Sequence, residues 1–378
     1  MNPRIIQKLA MPLALLGICL FFALKEPAFL GARNLTQLLI EFSMIATLAL
    51  GMFLVLLTGN IDLSVGSGVG LIGGVAAVLV FQNEWPAGAA MAAGLGVALV
   101  AWTIMGTLIV SQRIPSFIIT LGGLLIFKGI FWLVIQNSTI PVSRGDEDNL
   151  YSLLTTYYFP PYASYALGAG VSLGLGVLLW RGASGRKTSG LPAENIGKSF
   201  LVWAAASGAV FTLIAVCNGF RGLPLPLVIV SVVALLLYFL SAHTPFGRYL
   251  YAIGGNEEAA VLSGINVFRV IVGAYVLLGV TVAITGLMTT AYSGASTATV
   301  GDLMELDAIA ACVIGGTSLR GGRGTVTGVL FGALIMTALL NGMTLMAVSP
   351  EMKFIARGAV LTLAVWLDVK LAGKNSRA

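Results

Sequence analysis

Thr36-Gln-Leu-Leu-Ile-Glu-Phe-Ser-Met-Ile-Ala-Thr-Leu-Ala-Leu-Gly-Met-Phe-Leu-Val-Leu-Leu57 runs for twenty-two residues with one charge, Glu41. As a helix it reaches about 33 Å at ~1.5 Å per residue, enough to cross the roughly 30 Å hydrocarbon core of a bilayer. Eleven further apolar segments lie near 10–24, 63–81, 87–110, 114–136, 163–180, 200–217, 224–241, 269–290, 306–318, 325–346 and 354–372. The segments at 10–24 and 306–318 are short, and 63–81 is rich in Gly rather than large apolar residues. Across 378 residues, 58% are hydrophobic and 10% charged, with a mean hydropathy of +0.96. A soluble domain carries about 25% charged residues, so this composition excludes one. The expected fold is all-α: a polytopic transmembrane helix bundle of about 12 spans, some short or broken, forming a single domain over 1–378.

Charge placement sets the expected topology. Arg4 and Lys8 precede Met11–Leu24 as in a signal peptide, but no small-residue cleavage site follows. The segment reads as an uncleaved first span. Starting inside and alternating, the interior segments hold Arg4, Lys8, Arg113, Arg181, Arg186, Lys187, Lys198, Arg248, Arg269, Arg320, Arg323, Lys370, Lys374 and Arg377, 14 of the 21 basic residues. The exterior ones hold Lys25, Arg33, Arg144, Arg221, Lys353 and Arg357, and Lys128 falls within a span. This bias follows the positive-inside rule and puts both termini in the cytoplasm. The acidic run Asp146-Glu-Asp148 falls outside but carries little weight under that rule. The net charge of +6 therefore reports topology, and no nucleic-acid partner is expected. Cys19, Cys217 and Cys312 are scattered through apolar segments, with neither disulfide nor metal spacing.

Three loops stand out: Gln136–Tyr162, the basic Arg181–Ser199 and the long interior loop Ser241–Phe268. Segments 41–80 and 305–340 share a plan. Each opens on a carboxylate (Glu41, Glu305) and continues as a small-residue helix, a polar Gly-containing turn and a Gly-rich helix. The topology gives both the same orientation, which suggests a parallel repeat. Gly66, Gly70 and Gly74 form a stripe at four-residue spacing, as do Gly328 and Gly332. In a membrane such stripes let helix backbones approach closely.

Three motifs interrupt the apolar runs. In Thr58-Gly-Asn-Ile-Asp-Leu-Ser-Val-Gly-Ser67, Asn60, Asp62 and Ser64 are polar at alternate positions. A carboxylate at membrane depth is costly and commonly functional. Asp62 or Asn60 would otherwise cap a helix beginning near Leu63. The interior loop contains Gly254-Gly-Asn-Glu-Glu-Ala-Ala-Val-Leu-Ser-Gly-Ile265. There Asn256 suits an N-cap, Glu257 and Glu258 complement the helix dipole, and Gly264 suits the C′ position. The helix so defined has about two turns and an apolar edge of Val261, Leu262 and Ile265. Being too short to stand alone in water, it needs the membrane domain or a cytosolic partner to pack on. The third motif runs from Glu305 through Asp307 to Gly315-Gly-Thr-Ser-Leu-Arg-Gly-Gly-Arg-Gly324. Its glycines and arginines could cradle a phosphate. No strand precedes it, so a broken membrane helix is the better reading.

The absences also direct the reading. There is no G-x-x-x-x-G-K-[ST] loop, and Gly185-Arg-Lys-Thr-Ser189, the nearest match, has Arg186 where glycine is required. His243 is the only histidine, so no H-E-x-x-H zinc motif can form. Neither a cofactor nor a catalytic constellation is expected.

At these motifs the chain resembles the monosaccharide permeases of bacterial ABC importers, the group serving ribose, arabinose, galactose and xylose. The resemblance rests on Asn60–Ser67, on Phe246–Asn266 with its Glu258-Ala-Ala-x-x-x-Gly264 pattern, and on Glu305–Gly324. The extra pair of spans around Arg181–Ser199 and the stretch Asn218–Pro226 look most like the xylose-type members. Arg320 and Arg323 depart from the small or apolar residues expected there. The resemblance implies a permease in the bacterial inner membrane, surrounded by lipid and paired with a second copy. It implies a periplasmic sugar-binding protein outside and a cytosolic ATPase docking on the 241–268 loop through Gly254, Gly255, Asn256, Glu257, Glu258, Ala259, Ala260, Leu262 and Gly264. Asn60, Asp62, Ser64, Glu305, Asp307, Thr317 and Ser318 are the expected translocation-path or gating residues. The competing expectation is an ion-coupled secondary transporter, which would need paired ionisable groups within the membrane. Glu41, Asp62, Lys128 and Asp307 are its candidates.

Overall fold

The computed structural model describes residues 3–145, 148–188 and 196–375. Asp146 and Glu147 of the acidic run, Ser189 of the phosphate-loop near-match and Arg377 lie outside the described residues. Each of the twelve apolar segments coincides with a helix. In chain order these are α1 (Pro3–Lys25), α2 (Ala32–Leu57), α3 (Val65–Phe81), α4 (Ala87–Gln112) and α5 (Ser116–Ile135). A short α6 (Leu150–Thr156) precedes α7 (Pro161–Thr188), α8 (Ile196–Asn218) and α9 (Leu225–His243). Two short helices, α10 (Pro245–Gly255) and α11 (Glu257–Leu262), fill the long loop. The chain closes with α12 (Val267–Ser293), α13 (Met304–Ile314), α14 (Val326–Leu345) and α15 (Pro350–Asn375).

Among the described residues, eight helices are long and apolar enough to cross a membrane: α2, α4, α5, α7, α8, α9, α12 and α14. The protein is an all-α polytopic membrane protein. α13, with 11 residues, extends only about 16 Å and cannot span alone. The chain reaches it from Ser293 through an irregular segment that packs Val300 and Gly301 against α3. This segment and α13 together make one broken crossing. Irregular backbone is tolerated at that depth only where protein or a water-filled cavity surrounds it.

α2 and α12 form the centre of the bundle, with 78% and 67% of their apolar windows buried, whereas α7 and α8 have only 17% each. α7 and α8 make a peripheral hairpin. Ser172 Oγ and Ser207 Oγ lie 2.7 Å apart within it, and Trp203 Nε1 donates to the Ser172 carbonyl at 2.9 Å. The Gly66–Gly70–Gly74 stripe serves close packing, since a methyl group there would strike Glu305, the Val300 carbonyl or Phe131.

The helix ends define two faces. The near face carries α10 and α11. The far face carries two short antiparallel pairings, β1 (Ile140–Pro141) with β4 (Ala295–Ser296) and β2 (Tyr158–Phe159) with β3 (Leu223–Pro224). It also carries α6, whose Tyr151 Oη donates to the Gly73 carbonyl at 2.9 Å. The turns α2–α3 and α13–α14 both lie on the near face, joined by a bond from Gly322 N to the Leu57 carbonyl at 2.9 Å. That placement agrees with two helix–turn–helix units in parallel orientation.

Candidate functional site

The three motifs, separated by up to 250 residues, meet at one junction on the near face. Its first member is the linker between α2 and α3. Asn60 Nδ2 donates to Thr58 Oγ1 at 2.9 Å, and the Ile61 backbone is held by Ser116 and Thr120 at the start of α5. Asp62 is fully buried. Its Oδ1 accepts the backbone N–H of Ser64 at 2.7 Å and the Ser64 hydroxyl at 2.6 Å, and its Oδ2 accepts Trp102 Nε1 from α4 at 2.9 Å. Asp62 thus accepts an N–H just ahead of the helix, as the capping expectation has it, although the helix starts later than expected. α3 begins at Val65, later than Leu63, and its N-cap Ser64 makes no side-chain cap bond. Asp62 closes a tight turn and anchors it to α4.

The second member is the α10–α11 loop. Asn256 caps α11 as expected, accepting Ala259 N at 2.9 Å, with Glu257 and Glu258 in the first turn. Gly264 follows at φ +80, in the left-handed region expected of a C′ glycine. Ala260 is buried, while Val261 is 55% and Leu262 89% exposed. Val261 and Leu262 of the apolar edge therefore face away from the bundle, while Ile265 packs against it. Apart from α11, the sequence predicts loop over 241–268, but α10 occupies Pro245–Gly255. The missed signal was Thr244-Pro245, a capping hydroxyl followed by a proline at N1, and Thr244 Oγ1 accepts Gly247 N at 3.3 Å.

The third member is the turn after α13. Ser318 N donates to the Arg323 carbonyl at 3.0 Å, Ser318 Oγ accepts Arg320 N at 3.2 Å, and Thr317 is buried behind them. Arg320 and Arg323 are exposed. The turn joins α13 to α14, whose start is capped by Thr325, as a broken helix requires.

Main-chain contact locks the three together. A methyl group on Gly254 would lie 1.8 Å from the Leu57 carbonyl oxygen and 2.4 Å from Gly322 N. Only glycine fits that crossing. Tyr251 Oη donates to the Gly324 carbonyl at 2.9 Å. Burial raises the Tyr251 phenol above its ordinary pKa, so it keeps the proton it donates. Sequence reasoning did not single out Tyr251, because an aromatic in a loop carries no signal of its partner.

The expected path residues do not share one surface. Glu305 packs its carboxylate against Gly66, close to the Asp62–Ser64 turn. Asp307 points away from it, with Oδ1 3.0 Å from Arg357 Nε on α15. Thr317 and Ser318 belong to the near-face turn. Among the described residues, two ion pairs lie inside the helical domain, Asp307–Arg357 and Lys128–Asp302.

The profile of the family described as branched-chain amino acid transport system / permease component matches residues 34–365. The chain is 40% identical over 374 residues to the xylose transport system permease protein of Escherichia coli (strain K12), covering 96% of this chain and 92% of that one. The corresponding protein of Haemophilus influenzae is 39% identical over 366 residues, with 96% of each covered. The ribose import permease protein of Escherichia coli (strain K12) is 33% identical over 358 residues, covering 95% and 92%. No solved structure matches the chain. The profile spans the junction from the α2–α3 linker to the α13–α14 turn, and the chain belongs to this family of transport-system permease components.

Proposed function

We propose that the chain is the translocating subunit of an ATP-driven importer in the bacterial inner membrane, carrying a monosaccharide, most specifically a pentose such as xylose. Its similarity to xylose and ribose permeases supports the substrate class. The single observation that carries the mechanism is the near-face junction: an exposed apolar helix edge mounted on a rigid support. Covering a Leu side chain is worth about 1.5–3 kcal/mol, so Leu262, with Val261 beside it, offers a partner a compact anchor. A cytosolic ATPase docked there would move α10 and α11 as one body. The Gly254–Leu57–Gly322 contact would then pass that motion to the α2–α3 linker and the α13–α14 turn together, as rigid-body switching requires. The basic near face would be cytoplasmic, the far face would receive a sugar-binding protein, and a second copy would complete the pathway.

The test is reconstitution with the ATPase and the binding protein. Leu262→Asp and Glu258→Ala should weaken ATPase association at least tenfold, about 1.4 kcal/mol, without altering membrane insertion. Unchanged association would count against docking on α11. The Lys128–Asp302 and Asp307–Arg357 pairs are what favour ion-coupled secondary transport as a second reading. Uptake by the chain alone, driven by an ion gradient without ATP, would establish that reading instead.

A further inference from the structure

Lys128 sits within the apolar helix α5, where a charge is costly and normally faces protein or water. By helical rise it lies about 10 Å below the far-face end of α5 at Ile135. Its ammonium pairs with Asp302 in the irregular segment that leads into α13, and donates to the Ala298 carbonyl at 3.0 Å. Trp132, one turn further along α5, donates Nε1 to the same carbonyl at 3.3 Å, and the ammonium lies 5.4 Å from its ring centre. The Asp302 side chain is 48% exposed and Trp132 is 42% exposed. A half-exposed carboxylate at this depth is costly among acyl chains, because no water would be there to solvate it. That cost favours water over lipid along this face of α5.

We propose that Lys128, Asp302 and Trp132 form a sugar subsite in the far-face half of the translocation pathway. A carboxylate that keeps a free oxygen and an ammonium with a spare proton can together accept from and donate to neighbouring hydroxyls of one sugar. The exposed indole can cover the C–H face of the ring. Binding there would be weak because the site is half open, and a passage needs a site its cargo can leave. Glu305, three residues beyond Asp302 in the first turn of α13, offers the next polar group along the chain. The inference rests on the proposed sugar-import function.

The experiment is ATP-dependent uptake of radiolabelled xylose into proteoliposomes holding the permease with its ATPase and loaded binding protein. Trp132→Leu, Lys128→Met and Asp302→Asn should each lower uptake at least tenfold while ATPase activity and thermal stability in detergent hold. Trp132→Phe should keep most of it. The double variant Lys128→Met/Asp302→Asn should transport no better than either single one. Full recovery in the double variant, or normal uptake by Trp132→Leu, would overturn the subsite and leave the pair as a clamp between α5 and α13. Thr299→Cys, exposed beside the pair, should react with a membrane-impermeant thiol reagent in the intact complex. Failure to react would also overturn the proposal, independently of the ion-pair variants. If the unaltered complex transports no monosaccharide on ATP, the function itself fails and the subsite with it; loss confined to the variants bears on the subsite alone.

Discussion

Two adjacent glycines, Gly254 and Gly255, show how far residue type alone can mislead. Both end α10, and both fall in the motif the sequence singles out. A methyl group at Gly255 meets nothing within 4 Å, whereas one at Gly254 collides with the backbone of Leu57 and Gly322. Overpacking against backbone costs about 1–3 kcal/mol, because a carbonyl cannot rotate away as a side chain can. Gly254→Ala should therefore lower the melting temperature in detergent and cut ATP-driven uptake sharply, and Gly255→Ala should leave both near the parent values. Asp62 teaches a related lesson. The sequence marks it as a polar residue at a costly depth, but its partner Trp102 lies 40 residues on. Three donors aimed at one carboxylate stabilise it where water cannot, hydrogen bonds to charged groups being worth about 1.5–3 kcal/mol each. Its side chain is thus spent on holding the linker, and the turn it closes sets the direction of α3.

At the scale of one element, α11 is held by its ends. Six residues supply almost no helical stability of their own. The Asn256 cap contributes about 1 kcal/mol, and Gly264 turns the chain at a φ of +80 that an L side chain resists by roughly 1–2 kcal/mol. A Cβ at Gly264 would meet nothing within 4 Å, so its whole effect would be conformational. Asn256→Ala and Gly264→Ala should each speed amide exchange across 257–263 and weaken ATPase association severalfold, with global unfolding nearly unchanged. Equal protection in the variants and the parent would show that packing of Ala260, and not the caps, holds the helix. α11 was readable in the sequence because caps, dipole and C′ glycine are all local signals. α10 was missed because its first cue is a Thr-Pro step that also suits a turn.

At the scale of the whole molecule, the broken crossing through α13 depends on a neighbour from the end of the chain. Asp307 is buried and Arg357 is mostly so. Removing one partner of such a pair leaves a bare charge and costs about 3–5 kcal/mol. Asp307→Leu should markedly lower the yield of folded protein, and Asp307→Leu/Arg357→Met should recover most of it. If the double variant fails as badly as the single one, the charges matter for more than mutual neutralisation. This pair and Lys128–Asp302 were both invisible in the sequence, where the groups looked isolated, because their partners are 50 and 174 residues away. What the sequence determined by itself was the membrane class, the placement of the twelve apolar helices and the short capped helix α11. Each depends on a free energy summed over neighbouring residues: apolar transfer over a run of about twenty, or capping within a turn. Only the tertiary structure decided that the segment at 306–318 is half a crossing, that three distant motifs form one junction, and which polar residues are already occupied. Those outcomes rest on contacts between segments far apart in the chain, and no local sum of propensities contains them.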